Sequence, residues 1–425
     1  MGMTVVESIL ARKAGREKVV PGEIVTVDVD VAMTHDALGA HTIARFKNLA
    51  GDHGKVWSKD KIVIILDHYV PSNTIDTAKK VQNIENFVEE QGLPNYFGIG
   101  RGGICHKVLI EKGYVVPGAL VAGTDSHTTT HGVMGAFGIG IGIDDMAAIW
   151  KTGRTWEKVP ETLLVEVSGR LGEGIYSKDL MLKIVNKLGV DGAIQRSLQF
   201  TGETVYSLSV DSRTVFTNMA IEVGATNGII DPDEKVINYL KGRTTKRYDV
   251  VHGDHDARYE RVVKIDASDI DEPLIAAPWN PANVKKVSEL EGTRINQAFV
   301  GSCTNGRFED LQVVADILKR RTVAPHCRMV IIPASQEVYQ QAAEKGLLKV
   351  FVESNAFVSG PTCGPCMETH MGILGPDDVM ISSANRNFRG RAGHHTARIF
   401  LASPATVAAS AVAGYITDPR KYQSS

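Results

Sequence analysis

The chain has 425 residues, 43% hydrophobic and 23% charged, with 47 basic against 49 acidic side chains and a formal net charge of −2. That length suggests about three domains and is enough to bury several cores, while the near-neutral balance provides no basic stripe for nucleic acid or an acidic membrane surface. Five cysteines, few and odd in number, argue against a disulfide framework and for a reducing, cytosolic compartment.

No signal peptide opens the chain, and Val6 stands where an N-myristoylation motif needs Ser or Thr. The first strong element is residues 61–66 (KIVIIL), a buried strand by length and β-branching. Residues 77–91 follow as a helix, with Val81, Ile84, Phe87 and Val88 at helical spacing. Strands are expected at 115–122 and 162–167 (TLLVEV), and at 329–332 after a helix over 310–319. The weakly apolar run 399–416 is too short and too polar for a membrane span. It reads as a buried helix with Ser403 as N-cap, Pro404 at the first helical position and Gly414 as the stop. Alternating strands and helices imply α/β layers. Residues 271–281 hold three prolines and read as a linker, which sets the expected domains at 1–160, 161–285 and 286–425.

Two glycine-rich stretches invite a nucleotide reading. Residues 98–103 (GIGRGG) satisfy G-x-G-x-x-G, but a dinucleotide site wants a helix opening at the third glycine and an acidic residue about 20 positions on. Residues 135–142 (GAFGIGIG) read as packing glycine, where backbone crosses close to backbone.

The chemistry-bearing residues gather in a few motifs. Cys363-Gly-Pro-Cys366 lies ahead of a helix expected from Met367. As a redox dithiol it would exploit a lowered thiol pKa, yet it sits deep in a long chain and Thr362 precedes it where thioredoxins carry Trp. Cys303, Cys363, Cys366 and His370 could instead make a Cys3His zinc site. A third reading is an iron–sulfur cluster on Cys303, Cys363 and Cys366, leaving one iron without a protein ligand. Cys105 and Cys327 read as small buried hydrophobes. Strand-end polar groups accompany the cysteines: His35 beside Asp36, Asp67-His68, His106, and Asp125-Ser126-His127. Asn218 and Glu222, four apart, would share a helix face. His127 and His131 have the i, i+4 spacing of a metal pair, but the intervening threonines weaken a helix and His131 reads as structural. Among Arg386, Arg389 and Arg391, Arg389 reads as solvated.

The motifs Gly123-Thr-Asp-Ser-His-Thr128, Gly301-Ser-Cys-Thr-Asn-Gly-Arg307, Cys363-Gly-Pro-Cys366 and Ser383-Ala-Asn-Arg-Asn-Phe-Arg-Gly-Arg391, in that order, resemble the aconitase superfamily over nearly the whole chain. Within it they are most similar to the isopropylmalate dehydratase and homoaconitase-like large subunits. The resemblance implies three α/β/α domains packed around a [4Fe–4S] cluster held by Cys303, Cys363 and Cys366, with one open iron. It implies dehydration and rehydration of a small hydroxy di- or tricarboxylic acid, with 3-isopropylmalate favoured over homoaconitate-type and methyl-substituted substrates. Catalytic roles would fall to Asp67, His68, His106, Asp125, His127 and Glu222. Substrate contacts would fall to His35, Ser126, Asn218, Asn385, Arg386 and Arg391. The mobile fourth (swivel) domain, with its Ser-Arg base motif, would come from a separate small subunit in a heterodimer or heterotetramer, since Ser212-Arg213 lies in the wrong region. An RNA-binding relative is the alternative of another class, and the charge balance counts against it. No membrane partner is implied.

Overall fold

The computed structural model describes residues 2–368 and 370–422. They form two compact units, each built from two separate stretches of chain: residues 1–167 with 192–265, and residues 168–191 with 266–425.

The first unit centres on a five-stranded parallel sheet. Its spatial order is Tyr96–Phe97, Ile62–Ile65, Val31–His35, Leu120–Gly123, Phe137–Gly140. The KIVIIL run supplies Ile62–Ile65, buried along its length because helices cover both faces of such a sheet. The helix expected over 77–91 runs Ile75–Gln91, started by the Thr74 hydroxyl on the Thr77 N–H and ended by left-handed Gly92. The strand expected over 115–122 is shorter, Leu120–Gly123, because Pro117-Gly118 turns the chain (φ +73° at Gly118) and proline lacks the ladder N–H. A four-stranded sheet orders Asn227–Ile230, Arg196–Thr201, Glu161–Ser168 and Arg261–Asp266, and Ile24–Asp28 pairs antiparallel with Arg154–Lys158.

The second unit carries a seven-stranded sheet. Val284–Lys286 and Leu274–Ala276 form an antiparallel edge, followed by Arg398–Leu401, Val379–Ser382, Gln297–Val300, Arg328–Ile331 and Phe357–Val358, all parallel. The linker reading of 271–281 is corrected here: Pro273 and Pro278 bracket a three-residue strand instead of loosening the segment. The helix Pro404–Ala413 has the expected Ser403 cap, donating partner Thr406 N–H and left-handed Gly414, while the start of that apolar run is the strand Arg398–Leu401. No helix opens at Met367. Gly364–Cys366 is a single 3₁₀ turn and Met367 is extended (φ −140°, ψ 160°). Among the described residues, no helix is long and apolar enough to cross a membrane.

Candidate active site

Both parallel sheets repeat one winding. Taking the five parallel strands of each in chain order, the spatial order is 3-2-1-4-5. The chain runs outward from its first strand to one side, then returns to build the other. At the reversal, two adjacent strands send their connections to opposite faces and leave a crevice at their carboxyl ends. In the first unit that point lies between Val31–His35 and Leu120–Gly123, and in the second between Gln297–Val300 and Val379–Ser382. The motif residues hang there.

In the first unit His35 ends the first strand, and Asp67-His68 and Asp125 follow the next strands by two or three residues. His68 Nδ1 lies 2.6 Å from Asp67 Oδ1, and Asp67 Oδ2 accepts the Cys105 N–H at 2.7 Å. Burial opposes ionisation of Asp67, but His68 and the Cys105 N–H outweigh it and hold its carboxyl below the usual range. That bond also answers the G-x-G-x-x-G question. The helix after residues 98–103, Cys105–Glu111, directs its first N–H at the Asp67 carboxylate.

Asp125 is the hub of the cluster. It accepts from His106 Nε2 at 2.9 Å and from the His127 N–H at 2.7 Å, and its other oxygen is 3.8 Å from His68 Nε2 and 4.0 Å from His35 Nε2. Against burial, the His106 and His127 hydrogen bonds hold its carboxyl well below the ordinary value. His127 Nε2 meets Glu222 Oε1 at 2.8 Å, and Ser126 Oγ lies 3.5 Å from His127 Nδ1. Asn218 ends the helix Val210–Asn218 and donates to Thr130 Oγ1 at 2.8 Å, whereas Glu222 falls in the next turn, Met219–Val223. The two therefore share no continuous helix face. His35 stacks on His68 with ring centroids 4.1 Å apart, and neither of its nitrogens has a hydrogen-bond partner among the described residues. Burial, reinforced by His68, pushes its pKa down, so it is held neutral.

The glycines of 135–142 pack as expected. A Cβ on Gly138 would sit 2.3 Å from the Thr128 carbonyl oxygen, and one on Gly140 would sit 2.8 Å from that of Asp125. Close backbone approach thus fixes the loop that carries Asp125 and Ser126. Sequence reasoning missed one residue and read His131 as structural. Asp36, one position past His35, accepts the backbone N–H groups of Asp67, His68 and Tyr69 at 3.0, 2.9 and 2.6 Å. Its only sequence signal was adjacency to His35. His131 is no metal partner of His127; its Nε2 lies 3.5 Å from His106 Nδ1, and burial keeps it neutral.

In the second unit Cys303 follows Gln297–Val300, and Asn385 follows Val379–Ser382. Ser302, before Cys303, is left-handed (φ +74°), a costly conformation for serine. Buried Arg307 pins that loop by donating to the carbonyls of Thr304 at 2.6 Å and Cys303 at 3.1 Å. Left-handed Gly364 (φ +58°) folds the Cys363–Cys366 turn tightly; a side chain there would strike Ile332.

None of the five cysteines forms a disulfide. The Asn385 amide spans two of them: Nδ2 is 3.2 Å from Cys303 Sγ, and Oδ1 is 3.9 Å from Cys366 Sγ. Arg391 Nη2 lies 3.6 Å from Cys366 Sγ. The Asn385 N–H and the Arg391 guanidinium are hydrogen-bond donors set beside sulfur. Among the described residues, the group whose ligand atoms all lie within 4.8 Å of one another, as a single ion needs, is His35, Asp36, Asp67 and His68, and not the thiols. The three thiols therefore do not form a set whose ligand atoms all lie that close together. Arg386 is half-buried. Arg389 is exposed, as expected, and its guanidinium lies over the Trp279 ring at 3.9 Å, an attractive stack.

The profile of the Aconitase family (aconitate hydratase) matches residues 7–292 and 283–414. A probable 3-isopropylmalate dehydratase large subunit from Methanothermobacter thermautotrophicus is 50% identical, covering 99% of both chains. The 3-isopropylmalate dehydratase large subunit 1 of Methanopyrus kandleri is 46% identical over 99% of this chain and 100% of its own. A probable methanogen homoaconitase large subunit from M. thermautotrophicus is 44% identical over 99% of this chain and 98% of its own.

Proposed function

The chain belongs to the aconitase family of hydro-lyases, and from that premise we propose that it is the large subunit of a 3-isopropylmalate dehydratase. It would interconvert 3-isopropylmalate and 2-isopropylmalate through an alkene, together with a small subunit that supplies the swivel domain. The observation that carries the reading is the Asn385 amide set between the Cys303 and Cys366 sulfurs, with Arg391 beside Cys366, at a switch point, in a chain similar to large subunits along nearly its whole length. Family membership implies an iron–sulfur cluster, and Cys303, Cys363 and Cys366 are its proposed ligands. When bound as [4Fe–4S] with one iron open, it supplies a Lewis acid for the substrate hydroxyl oxygen. The proposed architecture is the family's three α/β/α domains, divided near residues 160 and 285.

The chain's own residues supply the rest. His68 has Nδ1 engaged by Asp67, which orients the ring and turns Nε2 toward the Asp125 side of the cluster, 3.8 Å from that carboxylate. That makes it the candidate acid for the departing hydroxyl. His106 and His127, set by Asp125 and Glu222, hold further protons close by. The partnerless nitrogens of His35, with Ser126 and Asn218, are the proposed contacts for substrate oxygens. Arg386 and Arg391, with Asn385, bind carboxylates, to which a planar guanidinium fork is matched.

The test begins with anaerobic reconstitution. Iron and sulfide should reach about four each per chain, as this cluster type requires; stoichiometric zinc without sulfide would sink the cluster assignment. Turnover should need the small subunit, and strong turnover by the isolated chain would refute that dependence. The homoaconitase-like relative keeps a second substrate reading alive, and a panel of 3-isopropylmalate, methyl-substituted malates and homocitrate-type acids with the reconstituted pair decides between them.

A further inference from the structure

Residues 168–191 belong to the second unit although the chain on either side belongs to the first. Half of this excursion is the helix Ser177–Leu188. Leu180, Met181, Leu182 and Ile184 bury its apolar face, which would suffice for a covering helix. Yet its first turn also buries two charged residues completely, Lys178 and Asp179. A buried ammonium is expensive unless it is hydrogen-bonded, so its destination is informative.

Lys178 Nζ donates to the carbonyls of Ser383 at 3.0 Å and Ala384 at 2.7 Å. These are the last two carbonyls before Asn385, whose amide touches the Cys303 and Cys366 sulfurs. The Ser383 hydroxyl, in the same turn, accepts the Gly301 N–H at 3.1 Å and lies 3.2 Å from the Asn305 carbonyl, bracketing Cys303. Lys178 therefore grips the node through which both loops are joined. Asp179 faces other duties: its oxygens accept the Leu274 and Tyr176 N–H groups. Burial raises its pKa to about 7, so at neutral pH it offsets the lysine's charge only in part.

We propose that Lys178 is a positioning residue for the iron–sulfur group. Its ammonium locks the turn that presents Asn385 to two sulfurs, and its charge would offset the negative charge of the sulfur ligands when the cluster is bound. The inference rests on the cluster reading above. It assigns a role to a residue outside every motif.

Full-length wild type, Lys178→Met and Lys178→Gln are reconstituted anaerobically, and iron and sulfide are counted. Cluster loss is then followed by visible absorbance under a chelator, and the cluster's reduction potential by EPR titration. Lys178→Met removes donor and charge and should lose its cluster at least ~10-fold faster, the usual scale for outer-shell partners of a metal site. Lys178→Gln keeps a donor but no charge. It should hold the cluster longer than Lys178→Met, yet both should show a more negative potential, because a nearby cation stabilises the reduced cluster. Wild type that takes up no sulfide overturns the cluster reading itself. A normal wild-type cluster with unchanged loss rate and potential in both variants overturns this inference alone. Should Lys178→Met fail to fold, the potential of Lys178→Gln decides the matter.

Discussion

Asp36→Asn probes how the first unit holds its Asp67-His68 pair. Asp36 is 1% exposed and gives one oxygen to the N–H groups of Asp67 and His68 and the other to that of Tyr69. Hydrogen bonds to a charged acceptor are worth ~1.5–3 kcal/mol net, against ~0.5–1.5 for neutral ones. In the best orientation the asparagine oxygen keeps the Asp67 and His68 bonds at neutral strength, losing about 1 kcal/mol on each. Its NH2 group then meets the Tyr69 N–H donor to donor, and an unpaired buried donor costs ~1–3 kcal/mol. The expected loss is about 3–5 kcal/mol, a large part of the ~5–15 kcal/mol that holds a typical domain. At ~2–4 °C per kcal/mol, the melting temperature should fall on the order of 10 °C. The assay is thermal and urea unfolding of the cluster-free chain, with Asp36→Ala, which removes all three acceptor contacts, expected to be at least as damaging. In the reconstituted pair, kcat should fall while KM changes little, since Asp36 sits behind the dyad. Stability within ~0.5 kcal/mol of wild type, the scatter of an ordinary surface change, would refute the reasoning.

Four further outcomes are expected. Cys303→Ser, Cys363→Ser and Cys366→Ser should each lose the cluster, since thiolate is the favoured ligand; Cys105→Ala and Cys327→Ala should keep it, as checked by iron and sulfide analysis. His127→Ala should retain the cluster but lower kcat by ~10²–10⁴-fold, the worth of a positioned acid or base, in steady-state assays. Arg391→Lys should raise KM with the cluster intact, because a point charge replaces a bidentate fork. Asp179 has a folded pKa of about 7 against ~3.9 when unfolded, so the folded state binds more protons between those values and stability falls as pH rises from ~4 through ~7. Asp179→Asn should flatten that slope, and melting temperatures of both proteins at pH 5.5 and 8 read it directly.

The scaffold was legible in the sequence where burial or capping decides it locally. Short apolar runs such as KIVIIL announce buried strands, and Ser403-Pro404 and Gly414 mark a helix because capping chemistry is local. The same local rules failed at Leu274–Ala276, where prolines suggest a linker but pairing with Val284–Lys286 and Leu401 makes a strand. They failed again at Met367, where the turn is set by Gly364 packing against Ile332. Asp36 and Lys178 were illegible for a common reason. Each acts through a partner 31 or more positions away in sequence, at Asp67 and Ser383, and nothing in a single sequence marks such a pair. Arg389 is exposed as read, but its stacking on Trp279 was illegible because Trp279 lies in the segment taken for a linker.

The winding of the sheets explains why the chemistry-bearing residues are scattered through the sequence and still form coherent sets. In a 3-2-1-4-5 order the first and fourth strands are adjacent at the reversal, so a site there must draw on loops far apart in the chain. His35 and Asp125 are so related in the first unit, and Cys303 and Asn385 in the second. Each unit then secures one strand-end loop from behind with a buried charge of the sign that backbone demands. The carboxylate of Asp36 binds three N–H groups after Ile62–Ile65, and the ammonium of Lys178 binds two carbonyls after Val379–Ser382. Loops at a switch point have no ladder to hold them, and a dyad or a thiol set must be held within about 0.5 Å to function. A buried ion answers that need because it can bond several backbone groups at once, and because losing it leaves those groups unpaired. Hence conservative replacements of Asp36 and Lys178 should damage function more than their distance from the reacting groups suggests.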